Sequence, residues 1–158
     1  MAKCVEGKVI VITGAGRGIG REMALLAAAE GGKVVVNDLG GSAEGEGADS
    51  KVADQVVAEI KKAGGIAVAN GDSVADPQGA ERIINAAIDN FGRIDCVVNN
   101  AGILRDRIFH RMSAVDWDAV IKVHLYGAFY VSKAAAPYFK DQESGCFVHF
   151  TSTSGLVG

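Results

Sequence analysis

The sequence predicts an α/β fold built as a doubly wound parallel sheet, and three observations carry that expectation. Short runs rich in valine and isoleucine alternate with longer stretches of helical period, in the order βαβαβαβαβ. Runs that are apolar throughout suit parallel strands buried on both faces, which helical crossovers connect. Residues able to hydrogen-bond a ligand recur at the carboxyl ends of these runs, at Gly14, Asp38, Asp72, Asn99 and Ser152. Open sheets of this kind bind their ligands at that edge, where the strand order reverses.

The first strand, Val9–Ile12, runs into Thr13-Gly14-Ala15-Gly16-Arg17-Gly18-Ile19-Gly20 and then into Arg21–Ala29, a stretch of high helix propensity. Gly14 lets the chain reverse, Gly18 lets the backbone approach a bound group, and Gly20 lets the helix lie close on the strand. A phosphate at this turn would meet free N–H groups and the positive end of the helix. An ordinary strand-to-helix turn has the same glycines, so the context decides. The second strand, Lys33–Asn37, delivers Asp38 at a distance of 18 residues from Gly20, the place of a ribose-binding acid. A carboxylate there accepts from both ribose hydroxyls and repels a 2′-phosphate, so NAD is expected rather than NADP. Arg17 is a counter-signal, because a cation in the turn can pair with a 2′-phosphate or point to solvent.

The glycine- and acid-rich run Leu39–Ser50 is expected to be a mobile surface loop. Val52, Val56, Val57, Ile60 and Ala63 then mark a helix that Gly64-Gly65 stops, and a short strand follows at Ile66–Ala69. Asp76-Pro77 opens another helix as N-cap and first residue, with Ile83, Ile84, Ala87, Ile88 and Phe91 on its buried face. The fourth strand, Asp95–Val98, ends in Asn99-Asn100-Ala101-Gly102. A helical stretch from about Asp116 to Lys140 leads to the last strand, Cys146–Phe150, and the hydroxyl cluster Thr151-Ser152-Thr153-Ser154.

At 158 residues, 49% apolar and 22% charged, the chain has the make-up of one globular domain. A net charge of −3 without a basic cluster argues against nucleic acid as a partner, and no apolar run is long enough to span a membrane. Three cysteines, Cys4, Cys96 and Cys146, lack the spacing of a disulfide frame or metal site; Cys96 and Cys146 are expected as small core residues. With no apolar leader at its start, the chain is expected in a reducing compartment, the cytoplasm.

Thr13–Gly20 resembles the TGxxxGxG turn of the short-chain dehydrogenase/reductase family, and Asn99-Asn100-Ala101-Gly102 is similar to its NNAG motif. The resemblance implies a Rossmann-like sheet in which Gly14, Arg17, Gly18, Ile19, Gly20, Asp38, Asn99, Asn100, Ala101, Gly102 and Val123 hold NAD. Asp72-Ser73 looks like the pair that meets the adenine ring, and Ser152 stands where the family has its catalytic serine. His124 stands where the family at large has an asparagine, so it either joins the catalytic set or is a helix residue satisfied by a local hydrogen bond. Asn37–Gly41, Ala101–Arg107 and Lys122–Gly127 look most like the (3R)-hydroxyacyl-CoA dehydrogenase portion of peroxisomal multifunctional enzyme type 2 and its bacterial relatives. The implied reaction oxidises a secondary alcohol, as in a 3-hydroxyacyl-CoA, to the ketone with NAD as acceptor. The implied partners are that small molecule and further copies of the chain, through the helix from about Asp116.

The family's YxxxK pair, its general base, belongs roughly a dozen residues after the serine, and the sequence stops at Gly158. Tyr126 and Tyr130 lack a lysine at the required spacing. The expectation is therefore a single NAD-binding domain over 1–158, truncated at its C-terminal end and inactive alone. A non-catalytic dinucleotide-binding module is the alternative.

Overall fold

All five residues of β1, Val9–Thr13, are buried, the mark of a strand covered on both faces. The structure, a computed structural model, describes residues 3–45, 47 and 51–153. After β1 come α1 (Gly18–Ala29), β2 (Lys33–Asn37), α2 (Lys51–Lys62), β3 (Ile66–Asn70), α3 (Pro77–Phe91) and β4 (Cys96–Asn99). A short 3-10 turn at Phe109–Arg111 precedes α4 (Ala114–Ile121), a π-helical turn (Lys122–Tyr126), α5 (Gly127–Gln142) and β5 (Cys146–His149). The five strands form one sheet in the order β3-β2-β1-β4-β5, and every neighbouring pair is parallel. This is the predicted doubly wound architecture.

Side chains alternate between the two faces of each strand, so β1 sends Ile10 and Ile12 one way and Val9 and Val11 the other. Ile10 and Ile12 meet Ala24 and Ala28 of α1 and Val56 and Ile60 of α2. Val9 and Val11 meet Ala80, Ile83 and Ala87 of α3 and Val131 and Ala135 of α5. Asp76 caps α3 by accepting from the amides of Gln78 and Gly79, with Pro77 in its first turn.

Three expectations need correction. The long helix is one run from Ala114 to Gln142, capped by Ser113, whose hydroxyl accepts from the Asp116 amide, but its path is broken by a π turn. Cys146 is exposed with the rest of β5, the last strand of the described residues, while Cys96 beside it is half-buried. Burial, together with the adjacent Cys146 thiol, pushes the Cys96 thiol up to about 12. The described part of the loop after β2 is anchored: Arg17 donates to the Gly41 carbonyl at 3.2 Å and the Leu104 amide to the Ala43 carbonyl at 3.0 Å. Glu46 and Ala48–Ser50 of that loop lie outside the described residues.

At the amino edge of the sheet the buried Asp95 carboxylate ties β1 to the start of β4. It accepts from the Val9 amide at 2.9 Å, from Arg93 at 2.9 and 2.7 Å, and from Lys8 at 3.3 Å. Burial raises the Asp95 pKa, but the Arg93, Val9 and Lys8 hydrogen bonds together outweigh it and leave the carboxyl below its ordinary value of 3.8. A depressed carboxyl contributes stability that is present above its unfolded pKa and lost as pH falls through its folded one. Asp95→Asn is therefore expected to cost about 2 kcal/mol at neutral pH, with a smaller difference from the parent at about pH 3. Urea unfolding at the two pH values checks both statements.

Candidate functional site

β1 and β4 are neighbours in the sheet, but their following connections leave in opposite directions, so a crevice opens at their carboxyl ends. Thr13 and Asn100 join its two sides. The Thr13 hydroxyl accepts from the amides of Asn100 and Ala101, each at 3.1 Å, and the Asn100 side-chain amide donates to the Thr13 and Gly14 carbonyls at 2.9 and 3.0 Å. A side chain on Gly14 has no room, since its Cβ would stand 2.8 Å from the Ala101 Cα, and φ there is +64°. Gly18, at φ +53°, faces open space, the condition for close approach of a bound group.

The start of α1 has no side-chain cap and no acid in its first turn, so its free N–H groups and positive dipole end are left for an anion. Asp38 stands opposite. Its carboxylate accepts from the Gly16 amide at 2.8 Å and the Gly40 amide at 2.7 Å, which fixes its orientation while leaving acceptor capacity on both oxygens. Arg17 is exposed and reaches across to the Gly41 carbonyl. Together with Gly14, Gly18, Asp72, Ser73 and Gly102, these residues line a cleft of about 530 Å³.

Asp72 is itself braced, by the Asn70 side chain at 2.8 Å and by Arg82 at 2.6 Å. Asn37, buried at the end of β2, supports this corner by donating to Asn70 Oδ1 and the Asp72 carbonyl. A second cavity of about 370 Å³ adjoins the cleft, and Asn100, Ala101 and Val123 line both. It holds Asn99, His124 and Ser152, the last exposed at its rim. Asn99 donates to the Ser132 hydroxyl at 3.0 Å and lies 3.3 Å from His149 Nδ1.

Thus the two cavities gather every predicted site residue except Ile19 and Gly20. Ile19 is 65% exposed outside them, and Gly20 is buried beneath the turn. Ser154 and Gly155 lie outside the described residues. Sequence reasoning missed Asn37, Gly16 and His149. A lone amide closing the valine run of β2, and a histidine closing β5, were the signals for two of them. Gly16 left none, because a Cβ there would collide with Val52 of α2 and the Asp38 carboxylate, both distant in sequence. Among the described residues no group of three or more His, Cys, Asp or Glu side chains is placed to hold a metal, and no helix is long and apolar enough to cross a membrane.

Comparisons with known proteins bear on the fold and the family. The chain is 52% identical over 153 residues to mouse peroxisomal multifunctional enzyme type 2, covering 97% of the chain and 20% of that protein. It is 40% identical over 162 residues to the hydroxyacyl-CoA dehydrogenase ChsB1 of Mycobacterium tuberculosis, covering 98% of the chain and 50% of that protein. Among solved structures, a 7α-hydroxysteroid dehydrogenase complexed with NADH and 7-oxo glycochenodeoxycholic acid superposes with a TM-score of 0.89 at 30% identity, over 99% of this chain and 58% of that one. The chain therefore spans between a fifth and somewhat over half the length of these relatives. The family model described as short chain dehydrogenase matches residues 8–158, and the chain belongs to that family.

Proposed function

We propose that this chain binds NAD and forms the cofactor-binding part of a dehydrogenase that oxidises the secondary alcohol of a 3-hydroxyacyl-CoA. The observation that carries the cofactor choice is the Asp38 carboxylate, aimed by the Gly16 and Gly40 amides into the same cleft as the uncapped start of α1. A ribose diol satisfies such an acceptor, whereas a 2′-phosphate brings a second negative charge against it. The cleft fits a dinucleotide in its parts, with free amides for the diphosphate and the braced Asp72-Ser73 corner for the base. The NADH complex of the hydroxysteroid dehydrogenase relative supports the same reading. Bound there, the nicotinamide supplies a hydride acceptor. Ser152, at the rim of the adjoining cavity, donates a hydrogen bond to the substrate oxygen and steadies its charge.

The substrate class rests on the motifs resembling the multifunctional enzyme's dehydrogenase portion and on the hydroxyacyl-CoA dehydrogenase relative. Self-association through α4 and α5 belongs to the same proposal, because Trp117, Leu125 and Phe129 are 57%, 60% and 55% exposed along that helix; sedimentation velocity checks it. The cofactor choice is tested by fluorescence titration of the chain with NADH and NADPH. NADH is expected to bind at least about tenfold more tightly, a difference of about 1.4 kcal/mol. Equal affinities or a preference for NADPH would overturn the NAD reading, and binding of neither would overturn the dinucleotide site.

A further inference from the structure

Cys96 and Cys146 open the two neighbouring strands that lead to the site, β4 to Asn99–Gly102 and β5 to Ser152. Neither thiol lines the nucleotide cleft or the adjoining cavity. The two residues are direct partners in the parallel register of β4 and β5, and the Cys146 amide donates to the Asp95 carbonyl at 3.0 Å, so the pairing holds at the start of both strands. Register partners in a parallel pair put their side chains on the same face of the sheet, with Cα atoms one strand spacing apart, about 4.8 Å. That spacing lies within the range of about 4.4–6.8 Å between the Cα atoms of a disulfide. Cys96 packs against the cluster that Ile10 and Ile12 form with α1, whereas Cys146 is exposed among the described residues. The third cysteine, Cys4, belongs to another segment, where its amide donates to the Glu30 carboxylate.

The two thiols differ in the way that an ordered oxidation requires. Burial and the adjacent Cys146 thiol hold the Cys96 thiol up at about 12, and the Asp95 carboxylate acts in the same direction. Cys96 is therefore the poor nucleophile of the pair, and the exposed Cys146 is the one open to a small oxidant. Once the Cys146 sulfur is oxidised to a neutral sulfenic acid, its share of the upward push on Cys96 is gone, and only burial and Asp95 remain.

We propose that Cys96 and Cys146 form a reversible disulfide staple, which hydrogen peroxide closes across the starts of β4 and β5. The Cys146 sulfur attacks the peroxide, the O–O bond breaks, and Cys146 becomes a sulfenic acid while the other oxygen leaves as water. The Cys96 sulfur then attacks the Cys146 sulfur, an S–S bond replaces the S–O bond, and the Cys96 proton leaves with the hydroxyl as a second water. The two thiols lose two electrons between them and the peroxide gains both. The Cβ atoms of register partners stand farther apart than the mean of about 3.8 Å in disulfides, so the bond must draw the two strand starts together. A strained bond of this kind is readily reduced by a thiol, which makes the staple reversible. Among the described residues nothing covers the side chains of β5, so β5 is the strand whose local opening the staple suppresses.

The test treats the chain carrying Cys4→Ser with hydrogen peroxide and maps its peptides by mass spectrometry. A single chain lighter by two hydrogens, with the Cys96 and Cys146 peptides joined, is expected, and dithiothreitol is expected to separate them. Hydrogen exchange at the β5 amides is expected to slow at least about tenfold in the oxidised chain and to recover on reduction. Adding Cys96→Ser is expected to stop the reaction at the Cys146 sulfenic acid, which a cyclic dione traps. Adding Cys146→Ser is expected to leave Cys96 unmodified at the same dose of peroxide. Two chains joined through Cys146, Cys146 oxidised to the sulfinic acid with Cys96 still free, or no link at all would each overturn the staple. None of these readouts involves NADH, so the staple stands or falls apart from the cofactor reading.

Discussion

Gly20→Ala should abolish measurable NADH binding and destabilise the chain by about 3 kcal/mol. A Cβ at this position would collide with the Gly14 carbonyl oxygen and stand 2.5 Å from Asn100 Nδ2 and 2.9 Å from the Gly14 carbonyl carbon. Those atoms belong to the clasp across the crevice, in which the Asn100 amide holds the Thr13 and Gly14 carbonyls. The obstructing atoms are mainly backbone, so relief requires α1 to move off β1 or the turn to open. Either movement separates the helix start from the Asn100 loop. Gly18→Ala is the control: its Cβ meets nothing within 4 Å, and only the φ of +53° penalises it, at about 1 kcal/mol. Urea unfolding of the two variants checks the order, and NADH titration of Gly20→Ala checks the loss of binding. Equal destabilisation would show that the close approach of α1 to β1 is not what Gly20 protects.

Asp38→Ala is expected to weaken NADH binding about 50-fold and to remove the discrimination against NADPH. A charged acceptor shared by two hydroxyls is worth about 1.5–3 kcal/mol in hydrogen bonding. The loss on the NADH side follows from that. On the NADPH side the substitution removes a repulsive charge, and Arg17, already on the wall of the same cleft, becomes the nearest cation for a 2′-phosphate. The variant also leaves the Gly16 and Gly40 amides without their acceptor, so about 1–2 kcal/mol of stability goes with it. Titrating parent and variant with both cofactors gives the ratio of affinities. A variant that keeps the parent's ratio would place the discrimination elsewhere, with Arg17 the first candidate.

Much of this site was legible in the sequence because its signals are local. Uniformly apolar runs of valine and isoleucine mark strands covered on both faces, and glycines between such a run and a helix mark the turn. Asp38 was readable from its position at the end of β2. What remained hidden depends on parts of the chain that meet only in the fold. Gly16 is confined by Val52 and Asp38, so nothing beside it in the sequence announces the constraint. The π turn was invisible because one widened turn barely disturbs the spacing of apolar residues along a helix of this length. Cys146 reads as interior from its apolar neighbours, yet among the described residues nothing covers the side chains of β5. The loop after β2 reads as unanchored from its glycines and acids, but its backbone carbonyls at Gly41 and Ala43 hold it to Arg17 and Leu104.

A nucleotide seated across the carboxyl edge of the sheet must touch four chain segments that are far apart in sequence. Amide chemical-shift mapping of the labelled chain during addition of NADH reads all four together. Shifts are expected at Gly14–Gly20, Asp38–Gly40, Asp72–Val74 and Asn100–Gly102. Shifts confined to the opposite edge, around Lys8, Arg93 and Cys146, or none at saturating NADH, would contradict a nucleotide seated there.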